Sequence, residues 1–330
     1  MTNGEPDAGL APDAASADGT VRVQTDLALP GFPHALDVYL PSNAERVVIF
    51  LHGGGGTKEM AAYRESGVRL DEPSNGEPKP DTAWLLSTRT AWVFPQGQHL
   101  AGHPLAKTWS NYLMTSGVDD VAFLKAMAQA LRSGTLAPSI PGFTRVYLAG
   151  HSNGGVMAAR MWCESPTTFD GYGALSGPPS VELLPSGAHP CAPQVGRPYI
   201  AIIGDSDTVL GTKDNWDGAW AVNECLQAGG GATMPNPNLA NEETFHRNFR
   251  VPALCPTPAG APTNSATTTT WSDCGGKVTL IRVTGADHCV TVTSNDACVG
   301  GLAGGGCTNA LDVMCGVRMR DLLAQFFTVN

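Results

Sequence analysis

A serine between two glycines stands where the chain could turn from a strand into a helix. The segment Gly150-His151-Ser152-Asn153-Gly154 directly follows the apolar run 145–149 and precedes a helical pattern. In such a strand–turn–helix arrangement the sharp turn exposes the serine hydroxyl, and the glycines let neighbouring backbones pass. The five-residue pattern alone is common, so its position between strand and helix is the informative part. It predicts Ser152 as a nucleophile that attacks a carbonyl carbon.

A serine hydroxyl needs a general base, and chain order selects the candidate. In strand–turn–helix sites of this kind the order is Ser, then Asp or Glu, then His. Of the eight histidines, only His246 and His288 follow the candidate acids. His288 comes just after the strand-like run 277–283, where the base is expected, whereas His246 lies in an Asn-rich segment, and we interpret it as a solvated loop residue. This position therefore predicts His288 as the base.

The acid that orients the base is expected in the loop after the apolar run 199–203. That loop reads Gly204-Asp205-Ser206-Asp207. Asp207 is preferred because a G-x-x-D turn leaves its carboxylate at the carboxyl edge of a sheet. Asp205 is the alternative, and it could instead serve as an Asx-turn residue. A Ser–His–Asp triad works without a metal or an organic cofactor, so we expect neither.

Four successive glycines could supply a hydrogen-bond donor that attack on a carbonyl requires. Two backbone N–H groups typically hold the developing oxyanion. One is expected from Asn153, the residue after the nucleophile. The second is expected from the turn 53–56, because glycines let the backbone curl around an oxygen atom. We favour Gly54, with Gly53 and Gly55 as alternatives; the phosphate-binding pattern G-x-x-x-x-G-K-[ST] is not present there.

Strand-like apolar runs alternate with helical patterns around these residues. The strand-like runs are 21–29, 35–40, 46–51, 90–94, 145–149, 173–175, 199–203 and 277–283, and the helical patterns are 119–131, 154–164, 216–226 and 310–327. This alternation predicts an α/β fold with a mostly parallel central sheet, helices on both faces and no large lid.

We interpret residues 1–20 as a disordered spacer and residues 21–330 as a single domain. The segments 64–81 and 229–271 interrupt the alternation of strands and helices. Neither has enough apolar sequence for a core of its own, so both are expected to be surface insertions.

The composition argues against several classes of protein. The 330 residues include 20 Lys and Arg against 30 Asp and Glu, a net charge of −10. Nucleic-acid binding is not expected, since it requires a basic surface. No apolar run approaches the roughly 20 residues of a membrane span. Nine cysteines, mostly in loop-like sequence, favour an oxidising compartment, although residues 1–20 lack the apolar segment of a signal peptide. We expect a secreted monomer.

Several segments together resemble a known family. LHGGGGT, TWSNY, VDDVAFL, GHSNGG, GDSDTV and a Gly-x-x-His turn resemble the secreted α/β-hydrolase esterases of the polyhydroxybutyrate depolymerase-like and feruloyl esterase group. The similarity extends from about Val47 to the C-terminal helix. It implies an α/β-hydrolase fold with Ser152, Asp207 and His288 as the triad. It also implies hydrolysis of a polyester such as polyhydroxybutyrate or polyethylene terephthalate; a feruloyl or acetyl-xylan esterase, or an acyltransferase with the same triad, is the alternative.

The resemblance also bears on the cysteines and on the substrate cleft. It implies a disulfide between Cys225 and Cys274, with Cys255 as a competing partner. The family's W-P-G turn after the base is replaced here by the run 289–292, which removes an aromatic residue from the cleft. Cys289 is expected to pair with one of three cysteines that follow it and so to stiffen the loop of His288. The three are Cys298, Cys307 and Cys315.

Trp109 is the aromatic residue that we expect to contact substrate. It lies in the polar turn TWSNY, where it could pack against a flat acyl or polymer segment. His151, beside the nucleophile, is expected to contact substrate as well. Without lid-like apolar helices the site should be an open cleft, which suits bulky or insoluble esters.

Overall fold

A ten-stranded sheet forms the centre of the protein. The computed structural model describes residues 19–100, 103–204, 239–266, 268–284, 288 and 319–330. Several predictions lie outside these residues. They are the acids Asp205 and Asp207, the helical pattern 216–226, and the cysteines Cys225, Cys289, Cys298, Cys307 and Cys315.

The structure describes twelve strands, of which eight coincide with strand-like runs of the sequence and four were not predicted. The strands are β1 (Val21–Ala28), β2 (Ala35–Pro41), β3 (Arg46–Leu51), β4 (Thr90–Pro95), β5 (Gln98–Leu100), β6 (His103–Thr108), β7 (Arg145–His151), β8 (Tyr172–Leu175), β9 (Tyr199–Gly204), β10 (Thr263–Asn264), β11 (Thr268–Asp273) and β12 (Val278–Val283). β5 and β6 form a separate antiparallel hairpin.

The order of the strands defines the fold. The sheet runs β1-β2-β4-β3-β7-β8-β9-β12-β11-β10. The strands from β4 to β12 in that order are parallel to one another, and the pairs at both edges are antiparallel. In this mostly parallel sheet, β4 lies between β2 and β3, and β2 is antiparallel to β4. This arrangement is the α/β-hydrolase fold. The predicted fold class is confirmed.

Helices cover the sheet on both faces. They are α1 (Lys58–Met60), α2 (Thr82–Thr88), α3 (Asp120–Ser133), α4 (Asn153–Glu164), α5 (Leu239–Phe245), α6 (Val251–Leu254) and α7 (Met319–Val329), with π-helical turns at Ala61–Glu65 and His246–Arg250 and 3₁₀ turns at Pro73–Asn75, Pro166–Thr168, Val181–Leu183 and Cys274–Gly276.

The two faces of the sheet belong to separate clusters of buried side chains. In β3, Val47, Ile49 and Leu51 pack with side chains of α3 and α4, whereas Val48 and Phe50 pack with side chains of α2 and α7. Each residue of β3 is therefore buried whichever face it points to. This is why the strand is continuously apolar from Val47 onward rather than alternating.

The described part of segment 229–271 differs from the surface insertion that we expected. Phe245 and Val251 are fully buried, and Trp271 in β11 is 4 % exposed. β11 also pairs along its whole length with β12 and so widens the sheet. The segment has too few apolar residues for a core of its own, and these few join the core of the main domain instead.

Two disulfides lie among the described residues. Cys163 pairs with Cys191, and Cys255 pairs with Cys274. The pairing of Cys225 with Cys274 that the resemblance implied is therefore wrong, and the competing partner Cys255 takes its place. Cys255 directly follows α6 and Cys274 directly follows β11, so the disulfide ties the end of this helix to the end of the strand.

The helices of the described residues include none that is both long and apolar enough to span a bilayer.

Segment 229–271 contains a buried ion pair whose arginine also contacts the sheet. The guanidinium of Arg250 bonds to the carboxylate of Glu242, and both side chains are 1 % exposed. The same guanidinium lies 3.5 Å from the ring centroid of Tyr199 in β9. Burial raises the pKa of Glu242, so the carboxylate depends on its cationic partner to stay ionised.

Replacing Arg250 with Met should destabilise the protein by about 3–5 kcal/mol, because it leaves Glu242 buried without a counter-charge. The double variant Glu242→Gln/Arg250→Met should recover much of this loss. Urea unfolding followed by circular dichroism measures the free energy of unfolding. Arg282→Met is the control, since Arg282 pairs with Glu243 at 3.4 Å while 24 % exposed; it should cost about 1 kcal/mol or less. Equal losses for the two arginines would contradict this account.

Candidate active site

Ser152 occupies the sharp turn between β7 and α4. Its φ of 50° and ψ of −119° belong to a region that residues with a side chain rarely adopt. A Cβ on Gly150 would lie 2.5 Å from the backbone of Gly154, and a Cβ on Gly154 would lie 2.3 Å from the carbonyl oxygen of Leu51. Both flanking positions therefore require glycine. The backbone N–H of Ser152 donates to the carbonyl of Leu175, 2.8 Å away, which ties the turn to β8.

The structure brings Ser152 and His288 together. Nε2 of His288 lies 2.8 Å from Oγ of Ser152, across 136 residues of sequence. The imidazole is 7 % exposed, and the serine is partly exposed. An unprotonated Nε2 at this distance can accept the hydroxyl proton as a general base. Asp207 and its alternative Asp205 lie outside the described residues, so the acid of the triad stays a prediction.

His246 is not the solvated loop residue that we predicted. It is 1 % exposed, its Nε2 lies 2.7 Å from Oδ2 of Asp273, and burial lowers its pKa. Asp273 pairs with Val278 at the start of β12, whereas His288 follows the end of that strand. His246 therefore lies near the amino ends of the parallel strands, whereas Ser152 lies at their carboxyl ends. This separation excludes His246 as the base.

Only one N–H group of the glycine turn is available to an oxyanion. Three of the four already have acceptors: Gly53 N–H donates to the carboxylate of Glu65, Gly55 N–H to the carbonyl of Lys107 and Gly56 N–H to the carbonyl of Gly53. The N–H of Gly54 has no partner among the described residues. A Cβ on Gly54 would lie 3.6 Å from Cβ of Asn153, so the two expected donors are on neighbouring backbones. The geometry favours Gly54 over both alternatives.

The side chain and carbonyl of Asn153 are clamped by the segment 108–111. Its Oδ1 accepts hydrogen bonds from the backbone N–H of Trp109 at 2.9 Å and from Oγ1 of Thr108 at 3.1 Å. Its carbonyl accepts from Nδ2 of Asn111 at 2.8 Å. These bonds fix the first residue of α4, whose backbone N–H is the second expected oxyanion donor.

Asp120 in turn holds the clamping segment. It is 1 % exposed and accepts hydrogen bonds from the N–H of Ser110 at 2.6 Å, from Oγ of Ser116 at 2.7 Å and from Nε2 of His34 at 2.9 Å. Sequence reasoning missed this role. The co-occurrence of TWSNY and VDDVAFL in the sequence could have indicated it. In the structure, Asp120 of VDDVAFL accepts a hydrogen bond from Ser110 of TWSNY.

Trp109 does not face the cleft, and the prediction that it contacts substrate is wrong. It is fully buried, and its indole N–H donates to the carbonyl of His52 at 3.0 Å. Its ring also lies 5.2 Å from that of His52. The polar neighbours Thr108 and Asn111 suggested a solvated turn, but they are buried as well because they bond to Asn153.

His151 contacts the proposed base. It is 9 % exposed, and its Nε2 lies 3.0 Å from the carbonyl oxygen of His288. The side chain therefore packs against the backbone of the base, and contact with substrate stays a prediction.

Comparison with known proteins gives distant relatives. No family model matches the chain. The "Putative esterase NocK" of Nocardia uniformis subsp. tsuyamanensis is 27 % identical over 283 residues, which are 82 % of this chain and 71 % of that protein. Among solved structures, an acetyl xylan esterase from Aspergillus awamori is 15 % identical with a TM-score of 0.46, over 84 % of this chain and 96 % of its own. TT1662 from Thermus thermophilus is 17 % identical with a TM-score of 0.43, over 82 % and 92 %.

The buried His52 fixes the direction of the Gly54 N–H group. Its Nε2 accepts a hydrogen bond from the N–H of Gly97 at 2.8 Å, and a backbone N–H can only donate. Nδ1 therefore carries the proton and donates to the carbonyl of Gly53 at 2.7 Å. This carbonyl and the N–H of Gly54 belong to one planar trans peptide unit. Holding the carbonyl therefore points the N–H the opposite way.

The unfolding free energy should fall as the pH drops below about 6.5, the ordinary pKa of histidine. Burial lowers the pKa of His52, so below that pH the unfolded chain binds a proton that the folded protein excludes. The contribution of His52 to the unfolding free energy is complete above the pKa that this histidine has in the unfolded chain. It is lost at up to about 1.4 kcal/mol per pH unit as the pH falls toward the pKa of His52 in the folded protein.

Urea unfolding of wild type and His52→Gln between pH 7.5 and 5 measures this dependence, and the variant should show the shallower slope. His246, whose pKa burial also lowers, acts equally in both proteins and cancels in the difference. His99→Gln is the control, because His99 is exposed and its replacement keeps the buried His52 and His246 in place. A His52→Gln slope equal to that of wild type would show that His52 is not excluded from protonation.

Proposed function

We propose that the protein is a serine carboxylic ester hydrolase. The observation that carries the proposal is the 2.8 Å contact between Oγ of Ser152 and Nε2 of His288. The contact occurs at a positive-φ turn after a buried parallel strand, beside the N–H of Gly54, which has no partner among the described residues. The distant relative that is named an esterase supports the same activity.

The reaction follows from this geometry. Oγ of Ser152 attacks the ester carbonyl while Nε2 of His288 takes the hydroxyl proton. The negative charge that develops on the carbonyl oxygen is stabilised by the N–H groups of Gly54 and Asn153. His288 then gives its proton to the leaving alcohol, and an acyl-enzyme remains on Ser152. A water molecule, deprotonated by His288, releases the acid and restores the serine. Asp207 is the residue that we propose to orient the imidazole.

For the natural substrate we propose a polyester, such as polyhydroxybutyrate or an aromatic polyester. The support is the resemblance of the six sequence segments to polyhydroxybutyrate depolymerase-like esterases. The burial of Trp109 removes the aromatic surface that we expected to bind the polymer. Secretion is part of the same proposal, and the two disulfides support it because such bonds persist in oxidising compartments.

Replacing Ser152 with Ala should lower kcat on p-nitrophenyl acetate by about 10⁴-fold or more, because the nucleophile is lost. The thermal unfolding midpoint should change little, since the hydroxyl contributes little packing. A fluorophosphonate probe followed by peptide mass spectrometry should label Ser152 in the wild type and nothing in the variant. Ser133→Ala removes an exposed serine at the end of α3 and should behave as wild type. Full activity of the Ser152 variant would contradict the proposal.

The substrate class is tested on polyhydroxybutyrate and polyethylene terephthalate films, methyl ferulate, acetyl-xylan and a long-chain triacylglycerol. We expect the wild type, but not Ser152→Ala, to release soluble acids from a polyester film, measured by liquid chromatography. Hydrolysis of methyl ferulate or acetyl-xylan with both films untouched would refute the polyester proposal. The ester hydrolase proposal would survive that result.

A further inference from the structure

Glu65 lies between two parts of the proposed site. It ends the π-helical turn Ala61–Glu65, and both oxygens of its carboxylate accept from the N–H of Gly53 at 3.2 Å. Its Oε1 is also 3.5 Å from Nδ1 of His151. The side chains of Glu65 and His151 are 15 % and 11 % exposed. One largely buried carboxylate thus contacts both the glycine turn and the residue before the nucleophile.

His151 extends this contact to the base. Its Nε2 lies 3.0 Å from the carbonyl oxygen of His288, and because a carbonyl can only accept, this nitrogen carries a hydrogen. Nδ1 is the nitrogen that is near the carboxylate of Glu65. His151 belongs to β7, whereas His288 follows β12 in a loop. The hydrogen bond therefore ties the backbone of His288 to β7.

The packing around Gly53 leaves no spare room for these groups to move. A Cβ on Gly53 would lie 3.2 Å from Nδ1 of His151, 3.3 Å from Cβ of Ser152 and 3.4 Å from Oε1 of Glu65. Glu65, His151 and Ser152 therefore all lie close to the same residue of the glycine turn.

We propose that Glu65 and His151 are positioning residues that hold the oxyanion donor of Gly54 and the base His288 in register with Ser152. The proposal rests on the proposed ester hydrolysis. Glu65 acts on the oxyanion side through the N–H of Gly53 and on the base side through His151. Misplacement of catalytic groups by about 1 Å can cost roughly 100-fold in rate, so the pair should affect kcat more than KM.

The first test compares two substitutions of Glu65. Glu65→Ala removes both contacts and should lower kcat on p-nitrophenyl acetate by about 10- to 100-fold, with KM within about threefold. Glu65→Gln keeps an oxygen for the N–H of Gly53 and should lose less. Glu72→Gln is the matched control, because Glu72 lies in the same region, is 47 % exposed and pairs only at the surface with Arg64 at 3.4 Å. It should stay within about twofold of wild type.

The second test asks whether Glu65 acts through His151. His151→Ala should lower kcat, and His151→Gln should recover part of it, since an amide N–H can donate to the carbonyl of His288. In the double variant Glu65→Gln/His151→Ala, the loss should equal that of His151→Ala alone, because the charge of Glu65 then has no imidazole to act on. If the fold-losses in kcat of the two single variants multiply in the double variant, Glu65 does not act through His151 and the proposal is refuted. A His151→Gln variant as slow as His151→Ala would count against the hydrogen bond to His288.

The two proposals fail in different ways. Absence of Ser152-dependent hydrolysis in the wild type would refute the ester hydrolase. An active wild type whose Glu65→Ala and His151→Ala variants keep kcat within twofold would refute positioning alone. If Glu65→Ala does not fold, Glu65→Gln and the double variant decide the same question.

Discussion

The site depends on how closely the first turn of α4 approaches the end of β3. A Cβ at Gly154 would lie 2.3 Å from the carbonyl oxygen of Leu51, so the two backbones touch with no side chain between them. β3 ends at Leu51, and the glycine turn follows directly. This contact therefore fixes the distance between the nucleophile and the turn that offers the Gly54 N–H. The strain of Ser152 is tolerated because β3 and β8 hold the turn on both sides.

Three buried polar side chains near the site form hydrogen bonds with backbone groups. His52 holds the carbonyl of Gly53, Asn111 holds the carbonyl of Asn153, and Asp120 holds the N–H of Ser110. Burying such groups is costly unless each has a partner. The carbonyls of Gly53 and Asn153 belong to peptide units that carry or adjoin the proposed oxyanion donors, and Ser110 belongs to the segment that clamps Asn153. Such a network would orient the proposed donors before any substrate arrives, which is what electrostatic stabilisation of an oxyanion requires.

The sequence was informative where one local property decides the structure. A strand buried on both faces is largely apolar, so runs such as 46–51 and 199–203 predicted β3 and β9 almost to the residue. Chain order reduced the eight histidines to His246 and His288, and the position of His288 just after a strand-like run selected it. The errors concern residues whose environment is set by distant partners. Trp109 is buried because Asn153, 44 residues away, accepts the hydrogen bond of its backbone N–H. Cys274 pairs with Cys255 because α6 and β11 end next to each other. The local polarity of the sequence indicates neither the burial nor the pairing.

The spacing of the strands explains why the proposed site needs anchors beyond a triad. β7 carries Ser152 and β12 precedes His288, and β8 and β9 lie between them. Three strand intervals correspond to about 14 Å, and the contact with Ser152 places His288 at the end of β7 rather than at the end of β12. The predicted acid follows β9, the strand beside β12. The hydrogen bond from His151 holds the backbone of His288 next to the proposed nucleophile. A base this far from the strand that precedes it depends on contacts with β7.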